Sequence, residues 1–152
     1  MKLTPHFTLA ELTASATAQR LRIDNTPPGD VAQRLLYTAE MLERIRATLG
    51  VPVIVTSAYR GPVLNRAVGG VSSSDHMTGE AADIVAPRYG TPYAVAALLA
   101  PLVSTLGIGQ LILEGIGGKQ WVHVSTRPPQ RAVNRILTIT ATGVRSGIHQ
   151  LA

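Results

Sequence analysis

The sequence predicts an α+β fold: a small antiparallel sheet with helices packed on it. Three observations carry that expectation. Two β-rich runs, Gln110 to Glu114 and Trp121 to Ser125, flank the glycine-rich stretch Gly115-Ile116-Gly117-Gly118-Lys119-Gln120, which reads as a hairpin. A long segment after Gly29 is apolar on one face only. Helices and strands do not follow strict βαβ alternation, as a parallel doubly wound sheet would require.

The elements come in this order. Thr26-Pro27-Pro28-Gly29 leads into a helix with Asp30 as a candidate N-cap. Val31, Leu35, Leu42, Ile45 and Leu49 recur at near-helical spacing, and Gly50 closes the helix. Val53 to Thr56 is rich in β-branched residues and reads as a buried strand. Gly61 to Ser74 reads as a loop, and Ala81 to Ala86 as a second strand with Asp83 and Val85 on one face. Thr91-Pro92 opens another helix, which Pro101 kinks or divides. After the hairpin, Arg135 to Ala141 reads as a last strand at the edge of the sheet.

Composition narrows the function classes. The 152 residues suffice for one domain with a sizeable core. There is no cysteine, which excludes disulfides and thiolate metal sites. The net charge is +5, which favours anionic partners such as nucleic acid, cell-wall polymers or phospholipid headgroups. A basic surface that serves only solubility is the plainer alternative. The arginines are scattered, and one Trp, four Tyr and one Phe are too few for a stacking platform. Nucleic acid is therefore not an expected partner. The longest apolar run, Ala94 to Val103, contains Pro101 and is too short to span a bilayer, so no stable membrane insertion is expected. The opening Met-Lys-Leu-Thr-Pro-His-Phe lacks a signal-peptide core. The chain is thus expected to be made in the cytoplasm and carried or released by something else.

The candidate chemistry lies in a split constellation. His76 and Asp83 fall in Ser72-Ser73-Ser74-Asp75-His76-Met77-Thr78-Gly79-Glu80-Ala81-Ala82-Asp83, and His123 falls much later in Trp121-Val122-His123. Two imidazoles and a carboxylate suit a catalytic zinc that keeps a fourth position open. Alternation puts Trp121, His123 and Ser125 on one face, so Asp83 and His123 converge if their strands are neighbours. Spacing alone leaves another reading open, in which Asp83 is a buried carboxylate paired with an arginine. Of the four histidines, His6 and His149 lie near the termini and read as surface residues.

The runs Thr56-Ser57-Ala58-Tyr59-Arg60-Gly61 and Ser74-Asp75-His76-Met77-Thr78-Gly79-Glu80-Ala81-Ala82-Asp83, with the later Trp121-Val122-His123, resemble the zinc D-alanyl-D-alanine carboxypeptidase superfamily. The short phage-type members are the most similar. The superfamily also holds vancomycin-resistance D,D-dipeptidases and phage L-alanyl-D-glutamate endolysins. The lead-in Phe7-Thr8-Leu9-Ala10-Glu11-Leu12 and Ile23-Asp24-Asn25-Thr26-Pro27-Pro28 extends the resemblance over most of the chain.

The resemblance implies one domain over residues 1–152 with a D,D-peptidase/hedgehog-like zinc fold. It implies Zn2+ held by His76, Asp83 and His123. It places at Arg60 an arginine that binds substrate or stabilises the transition state, and at Ser74 a serine that contacts substrate. Arg60 paired with Asp24 or Asp75, and Ser74 as a plain loop serine, are the structural alternatives. Several relatives carry an acid three residues before the second histidine, where this chain has Gln120. Glu114 is the substitute general base: if it pairs with Trp121, it shares a face with His123 one diagonal step away. Trp121 either walls the site or packs in the core. The expected activity is zinc-dependent hydrolysis of a peptide bond in peptidoglycan stem peptides, at a D-amino acid, by a monomer. It would act on the cell wall after phage-type release or as a virion component. The alternative is a non-catalytic zinc-containing virion or wall-binding module.

Overall fold

The computed structural model describes residues 1–151. Strands β1 (Lys2–Thr4) and β2 (Phe7–Thr8) form a small separate ribbon. Helices α1 (Leu9–Thr13) and α2 (Ala16–Leu21) come next. Both are short, and both are held by side-chain caps: Thr8 and Glu11 form a capping box on α1, and Ser15 accepts from the Ala18 N–H on α2. The predicted long helix is α3 (Gly29–Leu49). Its N-cap is Pro28, and Asp30 lies inside the first turn, where its carboxylate pairs with Arg34. Gly50 closes it in the left-handed conformation at φ 71°.

The chain continues through β3 (Ile54–Ser57), α4 (Pro62–Ala67) and β4 (Ala81–Val85). The stretch read as one loop from Gly61 thus contains a helical turn, opened by a proline at its first position. Helix α5 (Pro92–Leu99) begins at the Thr91 cap. Pro101 divides the helical segment as expected: a 3-10 turn at Ala100–Leu102 leads into α6 (Val103–Leu106). The hairpin is β5 (Gln110–Ile116) and β6 (Lys119–Ser125). Its loop is tighter than the sequence suggested, because the strands run on to Ile116 and Lys119 and leave only Gly117 and Gly118 to turn. Both have positive φ, as a two-residue hairpin turn of this hand demands. Strands β7 (Ile136–Thr140) and β8 (Gly143–Ser146) complete the sheet.

The order in the main sheet is β3-β4-β6-β5-β7-β8. The α+β architecture stands, with three differences in detail. The sheet is mixed, since β5 and β7 run parallel. β7 is interior, because β8 pairs with its far side and takes the edge. β3 is the other edge, so it is only partly buried, with Ile54 49% exposed.

Alternation divides the sheet into two faces. Ala82, Ile84, Leu111, Leu113, Val122 and Val124 belong to the core cluster, together with Val31, Leu35, Leu42 and Ile45 of α3 and Val95, Ala96 and Leu99 of α5. Each fully buried Leu or Ile there contributes roughly 1.5–3 kcal/mol. The residues between them on the strands, Asp83, Glu114, Trp121 and His123, face the other way. Among the described residues no helix is long and apolar enough to cross a membrane.

Candidate metal centre and cleft

The three sequence-predicted donors meet. Asp83 on β4 lies directly opposite His123 on β6, so the register itself brings carboxylate and imidazole together. His123 Nδ1 is 3.1 Å and His76 Nε2 is 3.2 Å from the same oxygen, Asp83 Oδ1. The two rings stand edge to face with centroids 5.1 Å apart. All three residues are buried, and no arginine pairs with Asp83 among the described residues.

The donor chemistry fits a cation. His76 Nδ1 lies 2.6 Å from the carbonyl oxygen of Ala58. A carbonyl only accepts, so Nδ1 carries the proton and Nε2 presents a lone pair in the neutral ring. That lone pair faces Asp83 Oδ1, another acceptor. Two acceptors at this distance need a proton or a metal ion between them. Charge obeys the same logic. Burial alone would raise the Asp83 carboxyl, but His123 and His76 overcome it and hold it well below the usual carboxylate range. Burial alone would lower the His123 imidazolium, but Asp83 outweighs it and Glu114 adds to the rise. His76, Asp83 and His123 therefore form a group that could hold a metal ion.

The loop that carries His76 is fixed by α3. Arg34 Nε donates to the carbonyl oxygen of Thr78 at 2.7 Å, and the Thr38 hydroxyl donates to that of Gly79 at 2.7 Å. Gly79 has φ +80°, and a Cβ there would lie 2.9 Å from Val31 Cγ1 and 3.0 Å from the Val31 carbonyl oxygen. Only glycine lets the loop sit this close to the helix. On the other side, the Ser125 hydroxyl donates to Asp75 Oδ2 at 2.9 Å and ties the loop to the end of β6.

Arg60 is set by the lead-in segment. The Asn25 amide donates to the carbonyl oxygen of Tyr59 at 3.0 Å, and its oxygen accepts from the Gly61 N–H at 2.9 Å. One side chain thus clamps the backbone on both sides of Arg60. Sequence reasoning included Asn25 only as part of a resembling stretch, because its partners lie far along the chain. Ser74 Oγ accepts from the His76 N–H at 3.2 Å and from Arg60 Nη2 at 3.4 Å. Arg60 pairs with neither Asp24 nor Asp75: Asp24 accepts from the Thr26 N–H, and Asp75 is engaged by Ser125 and Arg127. The Arg60 Nε is buried with no partner. A buried guanidinium donor without a partner is costly unless something that enters the cleft accepts from it.

Glu114 pairs with Trp121 across the hairpin, and its Oε1 lies 3.8 Å from His123 Nδ1. Burial raises its carboxyl above the ordinary value, and the neighbouring His123 charge offsets only part of that rise. Gln120 lies opposite Gly115, one residue out of phase with Trp121 and His123. Alternation therefore turns Gln120 away from the donors. The position that relatives fill with an acid does not face the centre here, and Glu114 on the facing strand does.

These residues line one cleft of about 480 Å³, with Arg60, Ser74, Asp75 and His76 on one side and Ile112, Glu114, Ile116, Trp121 and Ile139 on the other. Trp121 walls the cleft. His6 bonds to Glu43 and His149 to the carbonyl of Ser146, so neither takes part. The sequence reading missed Ile139 and Ile112. Their strand periodicity was legible, but nothing local shows which strands become neighbours.

A family model described as Peptidase M15 matches residues 5–125. No curated protein matches the chain.

Proposed function

The chain belongs to the peptidase M15 family, and from that premise we propose that it is a zinc peptidase that cleaves peptidoglycan stem peptides at a D-amino acid. The observation that carries this reading is the meeting of His76 Nε2, Asp83 Oδ1 and His123 Nδ1 beside the buried carboxylate of Glu114. What zinc supplies when held by those three atoms is Lewis acidity, which acidifies water and polarises a carbonyl.

The chain's own residues do the rest. Glu114 takes the proton of the attacking water and returns it to the leaving amine, a task suited to a carboxyl that burial raises above its ordinary value. Arg60 presents Nε and its terminal nitrogens to the substrate carboxylate or to the oxyanion that develops on the attacked carbonyl. Ser74 steadies the guanidinium and offers its hydroxyl to the substrate. The Ala58 carbonyl holds the His76 tautomer, as metal-ligating histidines generally require. A net charge of +5 draws the protein to an anionic wall, where it acts after phage-type release or as part of a virion.

Gln120 gives no support to a non-catalytic wall-binding module, because its side chain does not face the donors. The test is digestion of purified muropeptides, read by mass spectrometry. Peptides of lower mass and new amino groups are expected, lost on chelation and restored by zinc. Intact muropeptides in the presence of zinc-loaded protein would overturn the reading, as would cleavage that a strong chelator leaves unchanged.

A further inference from the structure

Residues 126–151 lie beyond the stretch that the family model matches, yet they build part of the cleft. The parallel pairing of β7 with β5 sets Ile139 beside Glu114 and Leu137 beside Ile112. Partners in register share a face, so Glu114 stands between Trp121 on β6 and Ile139 on β7. Ile139 is the only residue of β7 or β8 that lines the cleft, so the C-terminal strands bring an apolar surface there and no charge. Ile112 and Ile116, two positions either side of Glu114 on β5, extend the same apolar surface. The opposite side of the cleft carries Val71 but is otherwise polar, with Arg60, Ser73, Ser74 and Asp75.

This asymmetry bears on specificity if the chain is the peptidase described above, on which this step rests. A leaving amine that takes its proton from Glu114 must lie against Glu114. The residue that carries the amine then lies against the register neighbours of Glu114. We propose that Ile139, with Ile112 and Ile116, is a specificity-determining wall that accepts a small uncharged side chain on the leaving residue and rejects an anionic one. The physical basis is desolvation. An apolar surface around Glu114 gives a carboxylate no partner for the hydration it loses, whereas a methyl group gains by burial.

The experiment compares two peptides that differ only in the leaving residue, alanine or glutamate, in the handedness that the enzyme accepts. Wild type is expected to prefer the alanine peptide by about 100-fold in kcat/KM, and Ile139→Thr to lower kcat/KM for that peptide about tenfold, chiefly through KM. Threonine keeps the β-branched shape of a strand residue, so the fold is retained. Ile139→Lys is expected to narrow the preference over glutamate at least tenfold. Trp121 is the chain's single tryptophan and lines this cleft, so its fluorescence on titration with each peptide reports binding to the metal-free protein directly. The same ordering of affinities is expected there. Cleavage of the alanine peptide with an unchanged ratio in both variants would sink the wall and leave the peptidase reading intact. Failure of wild type to cleave either peptide with zinc bound would overturn the peptidase reading and this step with it.

Discussion

The two faces of the central sheet are built from the same strands and differ in almost every physical respect. Ile84 and Val122 point into a dry core against α3 and α5, while their chain neighbours Asp83 and His123 point into a cleft and share a proton or a cation. On the core face, energy comes from area removed from water, and many residues share it. On the cleft face, a few polar atoms are buried, either against one another, as Asp83 is with His123, or with no partner, as Arg60 Nε is, and no residue substitutes for another. Strand alternation lets one hairpin serve stability and chemistry at once, so damage to the two faces should separate.

The largest effect should come from the cleft face. Asp83→Ala should abolish both zinc binding and muropeptide cleavage, while the thermal unfolding of the metal-free protein is retained; atomic absorption and calorimetric scans check this. Activity that survives without bound metal would contradict the division. Glu114→Gln should lower kcat by about 10²–10⁴-fold with zinc content unchanged, because it removes the proton carrier and no ligand. Full turnover in that variant would remove Glu114 from its role.

On the core face, Leu42→Ala should cost about 2–5 kcal/mol in denaturant unfolding and leave zinc affinity per folded molecule intact. Gly79→Ala tests the seam between the faces. The strained φ and the close approach to Val31 should cost about 1–3 kcal/mol and weaken zinc binding as well, because the same loop carries His76. A stability loss with unchanged zinc affinity would mean that loop and centre are independent. The mildest effect should be one of pH. The His123 pKa is raised in the metal-free protein, so His123 already holds its proton at a pH where an ordinary histidine is neutral. Zinc must displace that proton, so affinity should fall as pH drops through the raised value. Calorimetric titration across pH checks the sign.

Much of the centre was legible because its signals are chemical and local. His76, Asp83 and His123 announce donor atoms, and strand alternation predicts that Asp83 and His123 converge if their strands are neighbours. Glu114 was legible because hairpin register is set by turn position. The rest depended on who neighbours whom. The pairing of β7 with β5, which brings Ile139 to the cleft, leaves no trace in either strand alone. Asn25, Arg34 and Thr38 hold the site through backbone carbonyls and amides that carry no sequence identity. Helices α1, α2 and α4 are too short for periodicity to reveal, and tertiary contacts and caps make up the difference.

The direct opposition of Asp83 and His123 has a consequence for folding. A slip of one residue between β4 and β6 would send Asp83 into the core and bring Ile84 to the cleft. Only the native register brings all three donors together, so an ion bound there would add its binding energy to the correct alignment of the two strands and to no misaligned one.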